Sequence, residues 1–130
     1  MIYKIQTTKP QQFIEITDKV AEELKNSNVR DGIAVIFVPH TTAGVTINEY
    51  ADPDVVRDII SVLDKTFPVH GEYRHLEGNS HAHIKASLMG SSCTVIIQDG
   101  KLCLGTWQGI YFCEFDGPRK RKFYVKIIAG

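Results

Sequence analysis

No apolar run in this 130-residue chain approaches the length of about 20 residues that a helix needs to span a bilayer. Neither sign of charge dominates. Fifteen Lys and Arg offset fifteen Asp and Glu, so no overall field draws the protein to nucleic acid or a membrane surface. Anion recognition would have to come from a local arrangement. Cysteine is scarce: Cys93, Cys103 and Cys113 are odd in number and form no CxxC pair. That excludes a disulfide framework and reads as reduced core thiols in a cytoplasmic protein. Their even spacing is no repeat, because the flanking residues do not match. The opening residues, Met1 to Thr8, lack the basic-then-apolar layout of a secretion signal. No low-complexity or linker-like stretch divides the chain. Residues 1–130 are expected to form a single domain, with 43% hydrophobic residues to build its core.

Hydrophobic periodicity sets the expected elements. Ile2 to Thr8 alternates as a strand, and Phe13 to Ile16 is its expected antiparallel partner across a turn at Pro10. Thr17 is placed to cap a helix to about Asn26, with Val20 and Leu24 on its apolar face. Ile33 to Val38 is apolar on both parities, which suits a strand buried on both faces. In the next segment an extended chain points His40, Thr42, Gly44, Thr46 and Asn48 one way, and Ala43, Val45 and Ile47 the other. That makes a polar lane ending beside Glu49. Asp52-Pro53-Asp54 opens a second helix, whose stripe of Val55, Val56, Ile59, Ile60 and Leu63 runs on until Pro68 stops it. Asn79 or Ser80 caps a short helix to Met89, closed by Gly90.

From Ser91 onward the pattern is β, with turns at Asp99-Gly100 and Asp116-Gly117. The strand from Trp107 to Phe115 is apolar on both parities, so sandwich packing or a subunit interface should cover its second face. The expected fold is α+β. An antiparallel sheet curls into a sandwich or open barrel, flanked by two main helices and one short helix.

Polar chemistry is concentrated in one stretch. Tyr73 to Lys85 holds His75, His81 and His83 with Glu77, Asn79 and Lys85, and His40 opens a second polar run through Glu49. Neutral imidazoles and carboxylates bind divalent metals and move protons near neutral pH. A zinc site with three protein ligands needs donors converging from separate elements. His40 on a strand edge, His75 in a loop and His83 at a helix start could supply them. His81 and His83 would point about 200° apart on a helix, so they cannot both face one ion. His83 is the choice, because the helix is better formed there and Ser87 sits one turn on. The plainer account is that these histidines are loop and hydrogen-bonding residues. Glu49 and Glu77 are the candidate acid–base groups, or carboxylates that orient a histidine; taken singly, each also fits a solvated surface glutamate.

Gly105-Thr106-Trp107-Gln108-Gly109 allows close backbone approach, and Gln108 supplies both a donor and an acceptor. The run is either a ligand platform or a tight turn into a strand with a core tryptophan. Asp116-Gly117-Pro118 is followed by four consecutive cations, Arg119 to Lys122. Alone, such a run is a solvated edge. An Arg119 folded back toward the histidine loop would instead hold a phosphate bidentately, with Lys85 as a second positive charge.

His40-Thr41-Thr42, Asn48-Glu49, Asp52-Pro53, His75-Leu76-Glu77-Gly78-Asn79, His83-Ile84-Lys85, Gly105 to Gly109 and Asp116-Gly117-Pro118-Arg119 together resemble the YjbQ family. It is also called the secondary thiamine-phosphate synthase family. The resemblance covers essentially the whole chain. It implies a compact α+β domain with a sandwich-like core, assembled as a homotrimer with its sites close to subunit boundaries. It also implies a pocket suited to a divalent metal ion, zinc or magnesium, and to phosphate-like anions. Carried over by motif, His40, His75 and His83 are the expected metal ligands, with His75, Glu49 and Glu77 as catalytic groups. Asn48, Lys85, Gln108 and Arg119 are the expected substrate-binding residues, and His81 falls where the family tolerates other residues. The implied activity is a secondary one, joining a pyrimidine methyl diphosphate to a thiazole phosphate with release of pyrophosphate. A non-enzymatic trimer that binds a phosphorylated metabolite is the alternative. Nucleic-acid binding through Arg119 to Lys122 is disfavoured by zero net charge, and no membrane partner is expected.

Overall fold

Strand alternation gives each β-segment an apolar face, and those faces decide how two sheets meet. The computed structural model describes residues 1–130. Its elements in order are β1 (Ile2–Gln6), β2 (Gln12–Glu15), α1 (Thr17–Ser27), β3 (Gly32–Phe37), β4 (Ala43–Glu49), α2 (Pro53–Thr66), α3 (Ser80–Met89), β5 (Ser92–Gln98), β6 (Lys101–Leu102), β7 (Gln108–Glu114) and β8 (Lys120–Ala129). One antiparallel sheet runs β1-β8-β3-β5-β6, the other β2-β7-β4. No helix is long and apolar enough to cross a membrane. The fold is α+β, as expected.

The main core lies between the sheets. Ile36, Val95, Phe123 and Val125 of the larger sheet meet Val45, Ile110 and Phe112 of the smaller, with Val20 and Leu24 of α1 closing one side. Each such side chain, removed from water, stabilises by about 1.5–3 kcal/mol. A second cluster lies on the far face of the smaller sheet. There Tyr111, Cys113 and Phe115 sit beneath Ala82 and Ala86 of α3, with Val56 and Leu63 of α2 packed alongside. Both faces of β7 are thus covered within one subunit, by sandwich packing on one side and helices on the other. Burial pushes the Cys93 thiol up to about 11 and raises that of Cys113 further, as expected of core thiols, but Cys103 is exposed and is not part of the core.

Several expectations needed correction. β1 and β2 are not partners: β1 pairs with β8 and β2 with β7, in different sheets. Thr17 is the first residue of α1 rather than its cap. Its hydroxyl donates to the Glu15 carboxylate and accepts from the Ile110 N–H, both at 2.9 Å, and ties the helix start to the sheet. β3 is buried on one face only, because Phe37 is 44% exposed on the side that no element covers. The polar lane along β4 is roofed by α3. A Cβ added to Gly44 would stand 2.7 Å from the Gly90 carbonyl oxygen, so glycine is what allows that approach. Trp107 lies outside the core, 60% exposed, ahead of β7.

Candidate functional site

Three arrangements define the polar interior. The first closes one end of the sandwich. Arg121 has the same parity on β8 as the core residues Phe123 and Val125, so its guanidinium points between the sheets. It binds Glu114 through two nitrogens, with Nε 2.8 Å from Oε2, and donates to the Thr42 hydroxyl at 2.8 Å. Thr7 adds a hydrogen bond to Glu114 at 2.8 Å. Burial works to raise the Glu114 carboxyl, but Arg121, the Asp116 N–H and Thr7 together hold it below the usual carboxylate range.

The second anchors α3. Lys85 is fully buried, and its ammonium donates to Asp64 of α2 at 2.6 Å and to Gln11 at 3.0 Å. His81 Nδ1 lies 3.3 Å from the same nitrogen. An ammonium only donates, so Nδ1 is the unprotonated nitrogen of a neutral ring. Burial first, then the charge of Lys85, lowers the His81 pKa from 6.5.

The third is the histidine pocket. His40 precedes β4, His83 projects from α3, and both line a cavity of about 480 Å³ with Thr41, Ser87 and Ser91. Ser87 donates to the His83 carbonyl one turn back, at 2.8 Å. His75 approaches from the preceding loop, its ring edge-on to His83 with centroids 5.4 Å apart. Glu77 is 3.9 Å from His75 Nε2 and largely exposed. His40 Nε2 accepts the Lys122 backbone N–H at 3.0 Å. Burial, then Arg121, lowers its pKa from 6.5, so the ring is neutral with its one lone pair engaged.

Arg119 reaches this neighbourhood through intermediaries. Its Nε donates to the Asp116 carbonyl at 2.8 Å and its Nη2 to the Asp116 carboxylate at 2.9 Å. Asp116 in turn accepts from the Asn79 amide at 3.0 Å, immediately before α3. The Asn79 Oδ1 is the one buried side-chain polar atom without a partner. Gly117 has no room for a Cβ, which would collide with the Lys9 carbonyl, and this sets the corner that presents Arg119.

The chain brings His40, His75 and His83 to one region. Lys85 is placed inside, away from that cavity, holding α2 and α3 together. Asn48, Glu49 and Gln108 are neighbours across the β4–β7 ladder, at the end of β4 opposite His40. Seven strand residues separate the two ends, roughly 20 Å at about 3.3 Å per residue. There the Asn48 Oδ1 accepts the Glu49 N–H and the Gln108 Oε1 accepts the Gly105 N–H. No three His, Cys, Asp or Glu groups of one subunit stand together in metal-ligating geometry. The engaged lone pair of His40 gives a chemical reason, and only the His75–His83 pair remains as adjacent donors.

Sequence reasoning missed Arg121, treated there as part of a solvated run, although its parity with Phe123 and Val125 carried the signal. It also passed over Asp64 and read Asp116 only as a turn and motif residue. Their partners Lys85 and Asn79 are distant in the chain, so nothing local shows what the two carboxylates hold.

Comparison with known proteins agrees with this architecture. The family profile described as "UPF0047 protein YjbQ-like" matches residues 1–130. UPF0047 protein MJ1081 of Methanocaldococcus jannaschii is 60% identical, over 98% of this chain and 92% of its own length. UPF0047 protein YugU of Bacillus subtilis is 52% identical, over 97% and 96% respectively. The crystal structure of a YjbQ/UPF0047 family protein from Clostridium acetobutylicum is 65% identical and superposes with a TM-score of 0.98, covering 98% of this chain and 99% of that one. A YbjQ-like protein of unknown function from Sulfolobus solfataricus superposes at 0.96 with 31% identity, covering 100% of this chain and 96% of that one. With fold, motifs and full-length matches in agreement, this chain belongs to the YjbQ-like UPF0047 family.

Proposed function

We propose that the histidine pocket carries out acid–base chemistry on a small phosphorylated metabolite, of the thiamine-phosphate synthase type that the family resemblance implies. The observation that carries this reading is the meeting of His83 and a neutral His40 in one polar cavity, with His75 edge-on to His83 from the preceding loop and Arg119 tied through Asp116 and Asn79 to the start of the same helix. In that reaction the methylene carbon passes from a diphosphate oxygen to the thiazole nitrogen, and the diphosphate departs with the electron pair. His83 and His75 supply a proton to the departing group, worth roughly 100-fold or more in rate. The free terminal nitrogen of Arg119 meets its charge. A divalent ion, zinc or magnesium, would need donors beyond the His75–His83 pair.

The reading extends to a homotrimer in which a neighbour's Asn48, Glu49 and Gln108 complete the pocket. What supports this is the separation of the two residue sets along β4, together with the uncovered face of the larger sheet, where Ile2, Phe37, Ile96 and Ile128 are all more than 40% exposed.

Pyrophosphate release from a pyrimidine methyl diphosphate with thiazole phosphate tests the chemistry. His83→Gln is expected to lower turnover about 100-fold while the fold is retained. Unchanged turnover would sink the proposal, and tight calorimetric binding without product would favour the non-enzymatic alternative. Mixing His83→Gln with Glu49→Gln subunits should restore part of the activity if neighbours share a site. Light scattering that finds monomers would end the trimer.

A further inference from the structure

His40 is fixed by a bond that belongs to the sheet. β3 ends at Phe37, opposite Tyr124 of β8, so no β3 carbonyl faces the Lys122 N–H two residues earlier in that strand. The His40 Nε2 accepts this N–H at 3.0 Å and takes the place of the missing ladder partner. A backbone N–H can only donate, so Nε2 is bare and the neutral ring carries its proton on Nδ1. Protonating Nε2 would break the bond to Lys122, and removing the Nδ1 proton would leave an imidazolate. While the bond holds, the ring neither takes up a proton nor offers a second lone pair.

The Nδ1–H has no acceptor within the subunit, and it is not sealed from water, since the Asn79 Oδ1 is the one buried side-chain polar atom left unpaired. His40 lines the cavity of about 480 Å³ beside Thr41 and Ser91, and no carboxylate stands in that wall. The charged groups that act on the ring are Arg121, Glu114 and Lys122. Arg121 and Glu114 offset each other as a sealed pair, so Lys122 remains and the local field does not oppose an anion. An obligate donor in such a wall calls for an oxygen lone pair, and a charged oxygen makes the stronger bond.

We propose that His40 is the fixed hydrogen-bond donor of the pocket: its Nδ1–H is received by a phosphoryl oxygen of the ligand, and the ring is neither a metal ligand nor a proton carrier. This rests on the phosphorylated-metabolite reading above and deepens it, because proton transfer then falls to His83 and His75 alone. Long-range proton–nitrogen NMR of the full chain, titrated with inorganic phosphate, tests it. His40 should show the Nδ1–H tautomer without ligand, and phosphate should move that proton's resonance while the tautomer stays. His40→Gln keeps an acceptor at the Nε2 position for Lys122 but no donor at Nδ1. It should raise the phosphate Kd about tenfold, the scale of one hydrogen bond to a charged group. His40→Asn keeps an amide N–H where Nδ1 stands and should recover most of that affinity. The assignment falls if Nε2 carries the proton, if phosphate leaves the His40 signals in place, if His40→Gln binds phosphate as tightly, or if one equivalent of zinc replaces the Nδ1 proton. Failure of the reaction reads differently: no pyrophosphate release, with the tautomer and the phosphate shift as expected, would remove the chemistry and leave the His40 assignment standing.

Discussion

Arg121 and Lys85 are both buried cations, each paired with one carboxylate and each lowering the pKa of one histidine. Arg121 has Glu114 and acts on His40 through its charge; Lys85 has Asp64 and touches His81 directly. They differ in where the carboxylate stands. Glu114 is sealed between the sheets, whereas the Asp64 side chain is 44% exposed. A sealed partner cannot be rescued by water, so the end of the sandwich depends on both charges being present. An exposed partner can be resolvated, so the α2–α3 junction tolerates loss better.

The largest effect that would test this difference is at Arg121. Arg121→Met strands the Glu114 charge between the sheets, and urea unfolding should show a loss of about 3–5 kcal/mol. Adding Glu114→Met should recover most of it, because an apolar pair of similar volume is often neutral where a broken ion pair is not. A loss below about 1 kcal/mol for the single variant would mean that water reaches Glu114, and the contrast would collapse.

Lys85→Met should cost less. Methionine fills the space of the lysine stem, Asp64 turns to solvent, and the principal loss is the hydrogen bonds to Gln11 and His81. At about 0.5–1.5 kcal/mol for each, the expected loss is about 1–3 kcal/mol. It should come with faster hydrogen exchange in α2, whose residues are all at least partly exposed and which the Lys85–Asp64 contact ties down. Equal losses at the two cations would show that the exposure of Asp64 counts for nothing.

The same contrast separates what was legible in the sequence from what was not. Local signals were read well: Asp52 does cap α2 by accepting the Asp54 N–H at 2.9 Å, α3 runs from Ser80 to Met89 as expected, and β7 is apolar on both faces. Strand pairing was misread at β1 and β2, because a short loop favours a hairpin in sequence while the chain here crosses from one sheet to the other at Pro10. The histidine cluster was legible because His75, His81 and His83 are neighbours in sequence, and helical geometry alone separates His81 from His83. Lys85 was misassigned because its partners Gln11 and Asp64 come from two other elements, and burial cannot be read from a lysine's own surroundings. Asn48, Glu49 and Gln108 share motifs with the histidines in sequence order but not in position, since β4 runs away from His40.

pH distinguishes the clusters by their histidines. His40 and His81 both have folded pKa values lowered from 6.5, so the unfolded chain binds more protons as pH falls through that value. Their contribution is therefore fully present above 6.5 and is lost below it, until the folded pKa is reached. Glu114 and Asp64 are also lowered, so their contribution is present above the usual carboxylate pKa and disappears only in stronger acid. Chemical denaturation at pH 7, 6 and 5 should show stability falling first through the histidines. His81→Gln should flatten part of that slope even in the presence of Lys85→Met. A wild-type profile that stays level from pH 7 to 5 would refute the neutral-histidine assignment at both cations.

The smallest effect supplies the unburied end of the comparison. Arg57 and Asp54 form an ion pair at 3.1 Å on the surface of α2, with side chains 77% and 70% exposed. Here both charges keep their water whether or not the partner is present, and the pair is one turn apart at i,i+3. Arg57→Ala should therefore change stability by less than about 0.5 kcal/mol, and that small effect should shrink further in added salt. Alanine's better helix propensity works in the opposite direction, so a net change of either sign within that range is consistent. The series Arg121, Lys85, Arg57 then orders cation–carboxylate pairs by the exposure of the carboxylate, with the cation itself exposed only in the last. A loss at Arg57 comparable to that at Lys85 would show that α2 is held by its surface charges rather than by the buried ammonium.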